Sequence, residues 1–139
     1  MTQTAARIIV GVDGSKASVQ ALRFAHRQAA LTGAQLHAVT TWRYPFTGDV
    51  PVGDTPDWQR DAEAILDTAL SAAIPAADLG AVTRHVSEGH PAAVLLEQAQ
   101  DAEMLVVGSR GHGGFAGMLL GSVSQHVVAH SPCPVVVVR

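Results

Sequence analysis

One cysteine, one lysine and the absence of any long apolar run are the first constraints set by this 139-residue chain. Cys133 has no partner for an internal disulfide and suits a reducing compartment; where it stands, opening an apolar run, it reads as a small buried hydrophobe rather than a reactive thiol. Nine Lys and Arg against twelve Asp and Glu leave a formal charge of −3 without any basic cluster. That balance argues against a nucleic-acid backbone or a membrane surface as partner. No apolar stretch approaches the ~18 residues a spanning helix requires, and the opening MTQTAAR lacks the apolar core of a signal peptide, so a cytoplasmic location is expected. With 47% hydrophobic residues the chain can build one real core but is too short for two, and residues 1–139 are expected to form a single domain.

Apolar runs and helical stripes alternate along the chain. Ile8 to Val12 is apolar without alternation, as in a strand buried on both faces of a parallel sheet. Ser15 caps a helix with the stripe Ala21, Leu22, Ala25 and Ala29, and Gly33 ends it. Leu36 to Thr41 is a second strand, followed by a Pro/Gly-rich loop from Arg43 to Pro56. Thr55 and Pro56 predict the start of a second helix carrying Trp58, Ala62, Ile65, Leu66, Ala69, Leu70 and Ala73 at helical spacing. Ala81 to Val86 is a short third strand. His90 and Pro91 open a short helix through Val94, Leu95 and Ala99, Met104 to Val107 is a fourth strand, Ser122 opens the last helix, and Val135 to Val138 is a fifth strand. This alternation predicts an α/β fold: a five-stranded parallel, doubly wound, Rossmann-like sheet with helices on both faces. The order 3-2-1-4-5 puts strands one and four side by side at the point where the winding reverses, and ligands bind beyond the carboxyl ends of strands at such a point.

The stretch following strand four, GSRGHGGFAGMLLGSVS, concentrates glycine between a strand and a helix start. Amides converging there, with the positive end of a helix dipole, favour an anion, and phosphate is the natural occupant. No lysine occurs after Lys16, so the P-loop mechanism is excluded. Gly111, Gly113 and Gly117 give G-x-G-x-x-x-G, one residue too long for a dinucleotide fingerprint and on the wrong strand. What the chain does contain is Gly108, two residues, Gly111, nine residues, then Gly121-Ser122.

That spacing resembles the ATP-binding signature of the universal stress protein family. IIVGVDGSKAS with Ala21-Leu22, GHPAAVLLEQAQ and PVVVVR are similar to other parts of the family pattern, so the likeness covers nearly the whole chain. The resemblance implies that the glycine-loop amides and the Gly-Ser end hold a triphosphate, here Gly108, Ser109, Gly111, Gly121, Ser122, Val123 and Ser124. Asp13, ending strand one, would lie near the ribose and phosphates and help place Mg²⁺. Val12 and Ala38, Val39 and Thr40 would flank the adenine through their backbone.

Several residues keep a second reading. Ser122 can be a helix cap and no more. Asp13 can brace the Gly14-Ser15 turn, and Arg110 and His112 either touch phosphate oxygens or face water. His126 and His130 are four apart on one helix, but a structural zinc site needs more ligands than the spacing supplies. No catalytic elbow is present. The expected function is ATP binding for regulation or sensing in a stress response, with slow or no hydrolysis. The rivals are a nucleotide-using enzyme of adenylyl transfer or pyrophosphate release, and a nucleotide-free dimeric module that binds client proteins. An open edge at Val135 to Val138 would be an aggregation hazard if uncovered, and a homodimer through that strand is both the simplest cover and what the resemblance implies.

Overall fold

The computed structural model describes residues 5–44, 57–111 and 120–139. Strands β1 (Arg7–Gly11), β2 (Gln35–Trp42), β3 (Thr83–Glu88), β4 (Met104–Gly108) and β5 (Val135–Val138) form one sheet in the order β3-β2-β1-β4-β5. Every neighbouring pair is parallel. Helices α1 (Lys16–Thr32) and α2 (Trp58–Ala73) cover one face, and α3 (Pro91–Gln98) and α4 (Ser122–His130) the other.

Successive residues of a strand point to opposite faces, and this alternation divides the core in two. Ile8 and Val10 pack with Ala21, Leu22, Ala25 and Ala29 of α1 and Leu66, Ala69 and Leu70 of α2. Ile9 turns the other way, with Leu105 and Val107, onto Ala92 and Leu95 of α3 and Val127 of α4. Because both faces are buried, the inner positions of β1 and β4 need apolar side chains. Ile8, Ile9, Val10, Leu105 and Val106 are accordingly at most 1% exposed.

Local signals fix the element ends. The Ser15 hydroxyl accepts the Ser18 N–H at 3.2 Å to cap α1, and Gly33 closes the helix in the left-handed region at φ 78°, its N–H reaching the Ala29 carbonyl at 2.9 Å. β1 ends at Gly11 rather than Val12, although the Val12 N–H still donates to Val39 at 2.8 Å and so extends the ladder by one bond. The described part of α2 begins at Trp58 with the Asp57 carboxylate accepting the Arg60 N–H; Thr55 and Pro56 lie outside the described residues.

One strand is displaced from its sequence expectation. The third strand runs from Thr83 to Glu88 instead of from Ala81 to Val86, because a 3₁₀ turn occupies Ala76–Ala81. That turn opens at Pro75, whose carbonyl accepts the Asp78 N–H, and closes when Val82 donates to Leu79. β3 is an edge strand of mostly polar residues, so hydrophobicity marks neither of its ends.

Gly33 offers a clean measurement of backbone strain, since a methyl group added there would meet nothing within 4 Å. Gly33→Ala should cost about 1 kcal/mol in urea unfolding, through the left-handed conformation alone. Gly80, also in open space but outside the left-handed region, serves as its control, and Gly80→Ala should be neutral or slightly stabilising.

Candidate functional site

A cavity of about 370 Å³ opens at the carboxyl ends of β1, β2 and β4. Its position follows from topology: α1 leaves β1 on one face while α4 follows β4 on the other, so the two strand ends part and leave a crevice. Gly11, Val12 and Asp13 come from the end of β1, Val39, Thr40 and Thr41 from β2, and Gly108, Arg110 and Gly111 from β4 and beyond. The start of α4, from Gly121 to Ser124, closes the fourth side.

The three signature glycines are explained by close approach, not by unusual backbone angles. Among the described residues the glycines in the left-handed region are Gly14, Gly33 and Gly89. A methyl group on Gly108, by contrast, would sit 2.7 Å from the Ala17 Cβ and 2.8 Å from its carbonyl carbon, in the first turn of α1. One on Gly111 would lie 2.5 Å from Asp13 Oδ2, and one on Gly121 would lie 3.3 Å from the Gly111 nitrogen. The segment after β4 is thus folded tightly between α1, Asp13 and α4.

Hydrogen bonds hold that arrangement. Ser109 donates its N–H to Val138 and accepts the Gly121 N–H, each at 2.7 Å, which ties the ends of β4, β5 and α4 together. The Ser124 hydroxyl, 4% exposed, donates to the Gly108 carbonyl at 2.5 Å. Thr40 donates its hydroxyl to the Val12 carbonyl at 3.0 Å. Asp13 Oδ1 accepts the Ser15 N–H at 2.9 Å, so Asp13 braces its turn and lines the cavity at once.

α4 begins without a side-chain cap. Its N-cap is Gly121, Ser122 is the first helical residue, and no side chain among the described residues takes an N–H of its first turn. The reading of Ser122 as the cap is therefore replaced: Ser122, Val123 and Ser124 line the crevice, and as the first helical residues their amides have no intrahelical acceptor.

Eleven of the fourteen sequence-predicted residues line the cavity: Val12, Asp13, Val39, Thr40, Gly108, Arg110, Gly111, Gly121, Ser122, Val123 and Ser124. Ala38 does not, because it points into the α1/α2 core and is fully buried. Ser109 is engaged in the backbone clamp instead, and His112 lies outside the described residues.

Residues that the sequence reading missed supply much of the apolar wall. Ile65, assigned to the helical stripe of α2, is 42% exposed and turns to the cavity, where Pro91, Leu95 and Val107 also contribute. Periodicity gives these residues to a helix face or a buried strand but cannot tell a core from a pocket wall. Thr41 was missed for another reason. β2 outruns β1, whose last register pair is Gly11 with Val39. The Val39 carbonyl points to β1, where it accepts from Val12, and Thr41, two residues on, aims its N–H and C=O the same way, past the strand end and into the crevice.

A sequence profile of the universal stress protein family matches residues 5–139. The chain belongs to that family. Universal stress protein Rv2623 of Mycobacterium tuberculosis is 38% identical over 134 residues, and Rv2005c of the same organism is 37% identical over 134. Each alignment covers 96% of this chain but 45% of the relative, so the chain spans less than half the length of these family members. Among solved structures, a universal stress protein in complex with cAMP is 30% identical, with a TM-score of 0.70 over 99% of this chain and 98% of that one. The universal stress protein of Archaeoglobus fulgidus in complex with dAMP, 24% identical with a TM-score of 0.71 over 99% of this chain and 100% of that one, shares the fold.

The family glycines differ in how much room surrounds them, and substitution should reveal it. Gly108→Ala sets a methyl against backbone that cannot yield cheaply, and should cost about 1–3 kcal/mol in urea unfolding. Gly121→Ala, with its nearest neighbour at 3.3 Å, should cost clearly less.

Proposed function

We propose that this chain binds ATP, together with Mg²⁺, in the crevice between β1, β2 and β4, as a regulatory or sensing module of the stress response with slow or no hydrolysis. The observation that carries the reading is the first turn of α4, which has no side-chain cap among the described residues and whose Ser122, Val123 and Ser124 line the same cavity as Gly108 and Gly111. Phosphate oxygens satisfy the amides of such a turn, and the helix dipole favours their charge. The solved relative in complex with cAMP supports an adenine nucleotide as the ligand class. The adenine then lies against Val12, Val39 and Thr40, with the outward backbone of Thr41 as an added contact and Ile65 and Leu95 as apolar wall.

Asp13 fits a role beside Mg²⁺. Its Oδ1 is occupied by the Ser15 N–H, whereas Oδ2 lies next to Gly111 at the cavity wall. One carboxylate oxygen with phosphate oxygens and water makes a normal magnesium shell, and the ion would offset the repulsion between Asp13 and a triphosphate. No P-loop lysine is available to stabilise charge on a transferring phosphoryl group, which is why binding is favoured over turnover. The lone cysteine fits a cytoplasmic setting.

Extraction of nucleotide from the purified, denatured chain, identified by mass, tests the ligand directly. ATP with Mg²⁺ at a hundredfold excess over Kd should add about 2.7 kcal/mol to unfolding stability. Gly121→Val should fold and lose that gain. No nucleotide and no shift at millimolar ATP would overturn the reading in favour of a nucleotide-free client-binding module, and turnover near the usual enzyme median of about 10 s⁻¹ would favour the enzyme class.

The same reading includes a homodimer through Val135 to Val138. Among the described residues β5 pairs with β4 alone, so its other edge offers a four-valine strand for antiparallel pairing about a two-fold axis. The carbonyls of Pro134 and Val138 point to β4, accepting from Leu105 and Ser109, which turns the backbone groups of Val136 inward and those of Val137 outward. Val137→Pro should therefore weaken the dimer and leave the fold intact, whereas Val136→Pro should destabilise the sheet. Sedimentation at micromolar concentration should give twice the chain mass of 14.4 kDa. A single species at the chain mass would remove the dimer.

A further inference from the structure

Away from the crevice, β2 and β3 share a buried polar contact that nucleotide binding does not use. His37 of β2 lies beside Ile9 in register, and His85 of β3 lies beside Val39. Their rings stack with centroids 5.1 Å apart and planes 16° from parallel. Nδ1 of His37 is 2.9 Å from Nε2 of His85, and Nε2 of His37 is 3.3 Å from Gln35 Oε1. His37 is 8% exposed and His85 half-buried.

The hydrogen-bond pattern assigns the protons. The Gln35 oxygen accepts, so His37 carries its proton on Nε2 and presents a lone pair at Nδ1. His85 must then donate from Nε2 into that lone pair. Both rings are neutral and satisfied. A first added proton can be housed on Nδ1 of His85, which leaves the contact as it is, or on Nδ1 of His37 if His85 moves its own proton to its Nδ1, so that His37 donates to His85. A second cannot, because two N–H groups would then face each other at 2.9 Å.

The surroundings oppose that second charge. Arg7 of β1, in register with Gln35 and held by the Gln100 carbonyl at 2.7 Å, is the charged neighbour. Gln35 from β2, and Thr83 and Ser87 from the same side of β3, bring no charge, and no carboxylate among the described residues bonds to either ring. Burial, then His85, then Arg7 hold His37 below the ordinary histidine range, and burial followed by Arg7 does the same to His85.

We propose that the His37–His85 contact is an acid-operated clasp on the edge strand: neutral or singly protonated it ties β3 to β2, and a second proton releases β3. The sign follows from linkage. The unfolded chain takes up these protons near pH 6.5 while the folded chain resists them, so the stability carried by the clasp is complete above that value and declines as pH falls through it toward the lowered folded values. The pair titrates as one unit. β2 runs on from His37 to Val39, Thr40 and Thr41, and β3 leads through Gly89 to Pro91, so both strands of the clasp continue to the crevice.

Long-range ¹H–¹⁵N spectra of the unmodified chain, recorded from pH 8 downward, read the tautomer and titration of each ring, and hydrogen exchange reads the protection of the β3 amides from Thr83 to Glu88. At pH 7.5 both rings should carry hydrogen on Nε2, and both should titrate below the ordinary value of about 6.5. β3 protection, corrected for intrinsic exchange rates, should fall as the second proton enters, while β1 and β4 stay protected. His85→Thr should make β3 protection independent of pH across that range. Entry of the second proton at or above about 6.5 would overturn the clasp, as would β3 protection that ignores the titration or an acid response that survives in His85→Thr. Should that variant fail to fold, the titration and exchange of the unmodified chain decide alone.

Discussion

At Gly108 the backbone of β4 passes so close to the first turn of α1 that one methyl group would lie within 3 Å of three Ala17 atoms. The carboxyl edge of the sheet depends on that approach. Because β4 can come against α1, Gly111 reaches Asp13, and the Ser15 hydroxyl finds the Arg110 carbonyl at 3.5 Å. From the other side, Ser124 holds the Gly108 carbonyl and Ser109 clamps Gly121, so the start of α4 is placed relative to the same point. A larger residue at 108 would push β4 from α1 and carry all of these contacts with it. The crevice is therefore a product of packing before it is a product of polar chemistry.

The parts of this architecture that were legible in the sequence are those whose physics is local and periodic. β1 and β4 are apolar at the inner positions buried on both faces, β5 is four half-buried valines, and α1 announces itself through Ser15, its stripe and Gly33. Right-handed winding makes the sheet doubly wound but does not by itself choose the order 3-2-1-4-5 over other doubly wound orders. β3 was displaced because an edge strand with polar residues has no hydrophobic boundary, and the 3₁₀ turn before it rests on backbone bonds that any residues can make. The signature glycines were found by spacing, but their reason was not: the φ angles of Gly108, Gly111 and Gly121 are unremarkable, and what matters is a neighbour distant in sequence.

Side-chain roles proved harder to read than positions. Ser122 and Ser124 look alike in sequence, yet the first is exposed at the helix start and the second is buried with its hydroxyl committed to Gly108. Ile65 belongs to a helical stripe whose neighbours Leu66, Ala69 and Leu70 enter the core, while it faces the cavity. Ala38, Val39 and Thr40 are consecutive, and strand alternation sends Ala38 into the α1/α2 core and Val39 to the other face. In each case the decision depends on which element lies opposite, information that no window of local sequence contains.

Charge in the crevice is sparse, and its distribution bears on what the site can do. Asp13 and Arg110 are the charged residues among the described ones that line it. In the proposed reading a polyanion is held chiefly by backbone dipoles, which the glycine packing and the Ser109 and Ser124 bonds fix in place before a ligand arrives. Such dipoles grip the ground state and any later state of the phosphates with similar strength. Binding that is uniform in this way lowers Kd without lowering a barrier, and acceleration of phosphoryl transfer requires charge placed where it develops. Retention of a nucleotide rather than its consumption, as proposed, rests on this backbone cradle around Gly108 and on the absence of any lysine after Lys16.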